Sequence, residues 1–374
     1  MSTRASEEPL TAESFRTSAA NRMGPSGRRP ADEVPPAAER DTSTATTQNH
    51  ELPQEPPPSH ADFTASLRQH TRPAAPQWGW RGRIHRWTGG RVSPRVSAAE
   101  QGWNAALRAV QMTFGGPRTI VFVNPKGGAF KTTATLMAGR TFGVHRGGGV
   151  VAIDNNEARG TLGERALPAG HANTARELLD DLDLFEGPAA RLGDLGMFTR
   201  GQGPAHFDVL ASDEQAEIAG QLDAESFDRL HELFRRYYRL VLVDSGNNLR
   251  APNWLAAVRH ADLLVITTTV REDTASSALW MADALERHVL EAGALKRRSV
   301  ALVCSPAPTI DLGLRRFLME TFAERCGVAM PIPFEPALVG GGQIDYTRLS
   351  ATTHTAWLYA CAAMATTLSP ARES

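Results

Sequence analysis

Cysteine is scarce in this chain. Cys304, Cys326 and Cys361 are the only three in 374 residues, and no pair has a CxxC spacing. That argues against a disulfide framework, a zinc ribbon and an iron–sulfur cluster. Long apolar runs are missing as well, and none approaches the roughly 18 residues that a membrane span needs. There is no excess of charge: 40 Lys and Arg stand against 41 Asp and Glu, a formal net charge of -1. A globally basic nucleic-acid coat is thereby excluded, and any anion-binding surface must be local. The first ten residues, Met1 to Leu10, are polar and acidic, unlike a leader with a basic then apolar pattern. HExxH, GxSxG and GxGxxG are all absent, which removes the sequence support for a zinc protease, a serine-hydrolase elbow and a dinucleotide-binding dehydrogenase. The eleven histidines show no metal-ligand spacing, and His231 and His288 read as ordinary helix residues. The expectation is a reduced, cytoplasmic, soluble protein.

What is present falls into three regions. Residues 1–77 hold eleven of the 24 prolines and, beyond Met1, only seven large apolar residues. Such a segment cannot bury enough surface to offset its ordering entropy, so a disordered arm is expected. Residues 78–117 change character, with Trp78, Trp80 and Trp87 interleaved with Arg81, Arg83, Arg86 and Arg91. Arginine with tryptophan suits an anionic membrane surface, a nucleic-acid backbone or an acidic protein; the alternative is a strap folded onto the main domain. Ser97 and Glu100 are spaced as a capping box that opens a short helix carrying Trp103, Leu107 and Val110.

Residues 118–370 alternate β-branched runs with helical stretches. Strands are expected at 119–124, 150–154, 207–212, 240–244, 263–269 and 299–305. Helices are expected at 131–145, 225–238, 273–288, 312–326 and 352–367, with a second capping box at Thr174 and Glu177. Apolar strands alternating with helices imply an α/β domain whose mainly parallel sheet is covered on both faces. Ligands of such sheets sit at the carboxyl ends of the strands.

The first strand runs into Asn124-Pro125-Lys126-Gly127-Gly128-Ala129-Phe130-Lys131-Thr132-Thr133 and then a helix. Backbone N–H groups of a glycine loop at a helix N-terminus cradle phosphate. Lys131 is placed to meet the distal phosphates and the Thr132 hydroxyl to ligate Mg²⁺. The generic GxxxxGK[ST] pattern is not met, because Pro125 and Phe130 occupy its glycine positions.

Lys-Gly-Gly-x-x-Lys-Thr-Thr resembles the deviant Walker A motif of ParA/MinD-type ATPases. Val150 to Asn156, with Asp154, resembles the family's second aspartate-bearing strand, and Leu240 to Gly246, with Asp244, resembles its Walker B strand. The resemblance spans about residues 118–367 and is nearest in flavour to actinobacterial MinD-like proteins, some of which accompany type VII secretion. It implies an ATP- and Mg²⁺-binding P-loop domain that forms a homodimer on ATP and acts on a protein partner in a secretion or partition complex. Lys126 matches the signature lysine that reaches the partner's nucleotide. Lys126, Lys131 and Asn156 are then the expected catalytic positions. Nucleotide contacts are expected from Lys126, Gly127, Gly128, Ala129, Phe130, Lys131, Thr132, Thr133 and Asp154, and adenine contacts from Pro331 and Pro333 and near Ser305-Pro306. Thr132 and Asp244 are the expected Mg²⁺ ligands. Peripheral membrane or nonspecific DNA contact is assigned to residues 78–91.

Two residues depart from the pattern. Phe130 replaces a glycine that lets backbone approach phosphate. Asn156 replaces the aspartate that orients the attacking water; an amide can hold a water but cannot take its proton, and losing a general base costs ~10²–10⁴-fold. Glu157 is the neighbouring acid. A slow ATPase or an ATP-holding switch is expected, with a degenerate scaffold or a DNA partition ATPase as the alternatives.

Overall fold

The computed structural model describes residues 59–61, 75–156, 160–185, 187, 190–212 and 222–369. The expected disordered arm therefore lies almost wholly outside the described residues. By backbone proximity the chain divides into two units, Met1–Thr71 and Arg72–Ser374. Only residues 59–61 of the first are described, and everything below concerns the second.

Its helices are α1 (Gly79–Trp87), α2 (Ala98–Val110), α3 (Lys131–Arg146), α4 (Leu162–Arg165), α5 (Ala175–Asp180), α6 (Ala224–Tyr237), α7 (Pro252–His260), α8 (Glu272–His288), α9 (Ala294–Arg297), α10 (Leu312–Cys326) and α11 (Ala351–Leu368). Its strands are β1 (Arg118–Val123), β2 (Val150–Asn155), β3 (Arg200–Gly201), β4 (Asp208–Leu210), β5 (Leu240–Ser245), β6 (Leu263–Thr269), β7 (Ser299–Cys304) and β8 (Ala329–Ile332). They form one sheet in the order β3-β4-β2-β5-β1-β6-β7-β8. Every pairing is parallel except β3 with β4.

The central strands are apolar on both faces, and their alternation splits the core in two. Val121, Val123, Val151, Ile153, Val241 and Val243 point into one cluster with residues of α6, α7, α8 and α10. Ile120, Phe122, Val150, Ala152, Leu240 and Leu242 point into the other with residues of α2, α3 and α11. A sheet buried on both sides is what continuous β-branched runs require, and the fold agrees with the expected architecture. Six elements escape the sequence pattern: α1, α4, α7, α9 and the short strands β3 and β8.

The Arg/Trp stretch forms α1, and α2 buries Ala106 and Val110 in the same cluster as Trp357 and Leu358 of α11. Only half of the first capping box forms. The Ser97 hydroxyl accepts the Glu100 N–H, but the Glu100 carboxylate turns to the Gln77 N–H at 2.7 Å. Glu100 thereby tethers the chain entering α1, while Trp78 meets Trp103 edge-on with ring centroids 5.6 Å apart. The second capping box, Thr174 with Glu177, is complete.

Candidate functional site

β1 lies at the centre of the sheet between β5 and β6, so the loop that leaves it at Asn124 opens over the strand ends. Asn124 anchors this loop. Its amide donates to the Thr267 carbonyl at 2.7 Å and the Thr274 carbonyl at 3.1 Å, and its oxygen accepts the Lys126 N–H at 2.8 Å. Gly128 and Phe130 both have positive φ, 74° and 75°. For glycine that costs little; for phenylalanine the left-handed region costs about 1–2 kcal/mol. The Phe130 ring is half-buried against the α3/α11 core and lines a cavity without filling it. About 510 Å³ remains open above the loop. The N–H groups of Gly127, Gly128 and Phe130 have no hydrogen-bond partner among the described residues, which leaves them available to an anion.

Lys131 and Thr132 open α3. The buried Lys131 ammonium donates to the Asn247 side-chain oxygen at 2.6 Å and more weakly to the Lys126 carbonyl at 3.4 Å. Burial lowers its pKa, and the charge of Asp244 opposes that shift. The Thr132 hydroxyl donates to Asp244 Oδ2 at 2.6 Å and lies 3.4 Å from the Thr161 hydroxyl. Register brings two acids together, because Asp154 on β2 pairs directly with Asp244 on β5. Burial raises the pKa of both; Asp244 adds to the shift at Asp154, whereas the Thr132 hydroxyl, Lys131 and Arg165 offset it at Asp244. Asp154 accepts the Leu162 N–H at 3.2 Å. Gly160 packs so closely on it that a Cβ there would meet the Asp154 carboxylate at 1.9 Å. Asp244 Oδ1 is buried with no partner.

That orphaned oxygen is the test of a metal. A hydroxyl and a carboxylate oxygen in contact, beside a second buried acid and an unpaired oxygen, form a hard donor set that suits Mg²⁺. Thr132 and Asp244 are the residues that would hold it. Among the described residues no group of three or more His, Cys, Asp or Glu is placed to hold a metal.

The cavity gathers most of the predicted residues. Gly127, Gly128, Ala129, Phe130, Lys131, Thr132, Thr133, Asn156 and Asp244 all line it. Asp154 stands behind Asp244, fully buried. Lys126 is not among the lining residues; its ammonium lies 3.9 Å from the Asp273 carboxylate on α8. Pro331 and Pro333 line a neighbouring cavity, which shares Ser305 with the first. On that side the first cavity is lined by Pro306, Phe334 and Glu335 instead. Glu157 falls outside the described residues.

Three residues that line the cavity, Asn247, Glu335 and Arg165, are not singled out by the sequence. Asn247 holds Lys131, and the signal available was its place three residues after Asp244. Glu335 accepts from the Ser350 N–H and the Thr353 hydroxyl, closing the late wall. Arg165, at the end of α4, donates to the Thr133 hydroxyl at 2.6 Å and to the carbonyls of Leu338 and Gly340. Nothing in its local sequence marks that role, because its partners are 32 and more residues away.

No family model matches the chain, and no curated protein matches it. Among solved structures it is similar to a ParA family ATPase from Chlorobium tepidum, at 16% identity and a TM-score of 0.50, over 65% of this chain and 96% of that one. It is also similar to the cell division ATPase MinD of Pyrococcus furiosus, at 16% identity and 0.48 over 66% and 98%. The third is the apo McdA of Cyanthece, at 16% and 0.47 over 67% and 99%. Together with the strand order and the loop at the end of β1, the first likeness fixes the architecture: this chain has the ParA/MinD-type P-loop fold.

Proposed function

We propose that the protein is an ATP- and Mg²⁺-dependent dimerisation switch that positions or regulates a large partner complex, either a secretion apparatus of the type VII kind or a DNA segregation machine. The observation that carries this is the convergence of Lys131, Thr132 and Asp244 on one 510 Å³ cavity at the end of β1. The loop N–H groups and Lys131 would bind the phosphates; Thr132 and Asp244 would hold the metal, which would supply charge neutralisation. Pro306 and Phe334, which line the cavity, would contact the nucleoside. Asn156 faces the same cavity and orients water without taking its proton, so turnover is slow; phosphoryl transfer depends more on positioning and charge than on base strength. Lys126, outside the cavity and with its ammonium in long contact with the exposed Asp273 carboxylate, is the residue that reaches the partner protomer. An ATP-induced dimer requires only that ATP bind the dimer more tightly than the monomer.

Sizing in solution tests the switch. ATP·Mg²⁺ should double the mass of the wild-type chain; Lys126→Ala should bind ATP yet stay monomeric. A wild-type chain that stays monomeric with saturating ATP overturns the switch, and tight binding with no turnover leaves a nucleotide-holding scaffold.

A second reading concerns the partner surface. Trp80 and Trp87 are 62% and 89% exposed, and they lie two turns apart on α1 with Ile84 between them. Five arginines and no acid occupy residues 78–95. An apolar strip edged with cations matches an anionic bilayer surface. Trp80→Ala with Trp87→Ala should abolish co-sedimentation with vesicles rich in phosphatidylserine and leave the melting temperature unchanged. Binding to duplex DNA but not to vesicles would assign the strip to nucleic acid instead.

A further inference from the structure

Lys131 is expected to be the cation of a P-loop, and Lys126 points away to Asp273. Yet the cavity wall contains a second positive charge. Among the described residues that line it, Lys131 and Arg165 are the only cations. Arg165 stands at the end of the short α4, bonded to the Thr133 hydroxyl at the start of α3, and its charge is felt at Asp244.

Its hydrogen bonding is incomplete in a telling way. A guanidinium has five N–H donors and no acceptor. One Nη1 hydrogen goes to the Thr133 hydroxyl at 2.6 Å, and both Nη2 hydrogens go to backbone carbonyls, Leu338 at 3.0 Å and Gly340 at 3.2 Å. Nε is buried without a partner, and the second Nη1 hydrogen has no acceptor among the described residues. The backbone carbonyl of Arg165 also accepts the Ile344 N–H at 3.0 Å. One residue thus holds the first turn of α3, faces the cavity, and fastens the segment 338–344, which contains three consecutive glycines. Glycine-rich backbone has little stiffness of its own, so its order depends on such ties.

We propose that Arg165 is a second cation of the phosphate site within the same chain. With the remaining Nη1 hydrogen it binds a phosphate oxygen of the nucleotide, and through its Nη2 bonds it couples phosphate occupancy to the order of segment 338–344. Arginine suits both tasks, because its planar fork serves several acceptors at once and stays charged on burial. Val339, 67% exposed in that segment, then becomes part of a surface whose order reports on the nucleotide. This inference rests on the nucleotide-binding reading above.

The test uses the full chain with Arg165→Gln and Arg165→Lys. Calorimetric titration with ATP·Mg²⁺ and ADP·Mg²⁺ should show Arg165→Gln binding about tenfold to hundredfold more weakly, the range for losing charge-assisted bonds. Arg165→Lys should recover part of that loss. Hydrogen exchange at 338–344 should slow when wild type is saturated with ATP, and should not slow in saturated Arg165→Gln. A Gln variant that binds within twofold of wild type overturns the proposal, as does protection of 338–344 that persists in it. Equal losses in both variants together with a lower melting temperature without nucleotide would show a packing role only, and also overturn it. If Lys131→Ala loses binding while Arg165→Gln keeps it, this inference fails and the nucleotide reading stands. A wild-type chain that binds neither nucleotide sinks both.

Discussion

The cavity has two walls of different construction. The early wall comes from the exits of β1, β2 and β5, where loop, helix start and two acids are set by strand register: Asp154 opposite Asp244, and Thr132 bonded to Asp244. The late wall comes from the exits of β7 and β8, where Ser305, Pro306, Phe334 and Glu335 line an irregular stretch with two short 3-10 turns. The early wall is held by the sheet ladder, which buried backbone must satisfy in any case. The late wall is held by single side chains, Glu335 and Arg165. The comparison teaches that chemistry is concentrated where the backbone is fixed by register, and adjustability where side chains do the fixing.

That difference predicts a gradient in nucleotide affinity. Lys131→Ala strikes the early wall and should weaken ATP·Mg²⁺ binding by about a hundredfold or more, because a buried cation with direct phosphate reach is lost. Calorimetric titration checks this. An effect under tenfold would mean that the loop N–H groups and Arg165 carry the phosphates, and the two walls would then be closer in weight than the geometry indicates. Arg165→Gln, at the junction of the walls, falls between Lys131 and the purely late-wall residues.

The same difference explains what could be read in the sequence. The sheet and most helices were legible because β-branched runs and capping residues are local signals; α6, α8, α10 and α11 each lie within a residue or so of the expected span. Lys131, Thr132 and Asp244 were legible because spacing on consecutive strand ends is preserved by parallel register. The late wall was not. Pro331 and Pro333, expected at adenine, line the adjacent cavity, while the next residue, Phe334, lines the first. Arg165 was invisible because its partners arrive from α3 and from the stretch before α11. The Arg/Trp stretch was legible in composition but not in form: Gly79 and Gly82 argue against a helix, and α1 forms where Trp78 docks on Trp103 and Gly82 lets the backbone pack on Gln77.

Glu335 gives the finest test of the contrast, with a small effect on binding and a measurable one on stability. Burial by itself would raise the pKa of its carboxyl. Hydrogen bonds from the Ser350 N–H, the Thr353 hydroxyl and the Ala337 N–H outweigh burial and hold it at about 2, below the ordinary value of 4.5. A carboxyl depressed in the folded state contributes stability that is fully present above the unfolded value and is lost as pH falls toward the folded one. The window is therefore pH 4.5 down to about 2. The full shift corresponds to about 3 kcal/mol, and on the order of 2 kcal/mol remains after discounting for the open cavity beside the group. Glu335→Gln keeps one acceptor and loses the charge. It should lower stability at pH 7 by up to that amount, flatten the decline of stability between pH 4.5 and 3, and change ATP affinity by no more than about threefold. Urea unfolding across that pH range, paired with titration at pH 7, separates the outcomes. A variant as acid-sensitive as wild type would show that Glu335 does not fasten the start of α11. A loss of affinity comparable to that of Lys131→Ala would show that the late wall binds phosphate rather than framing it.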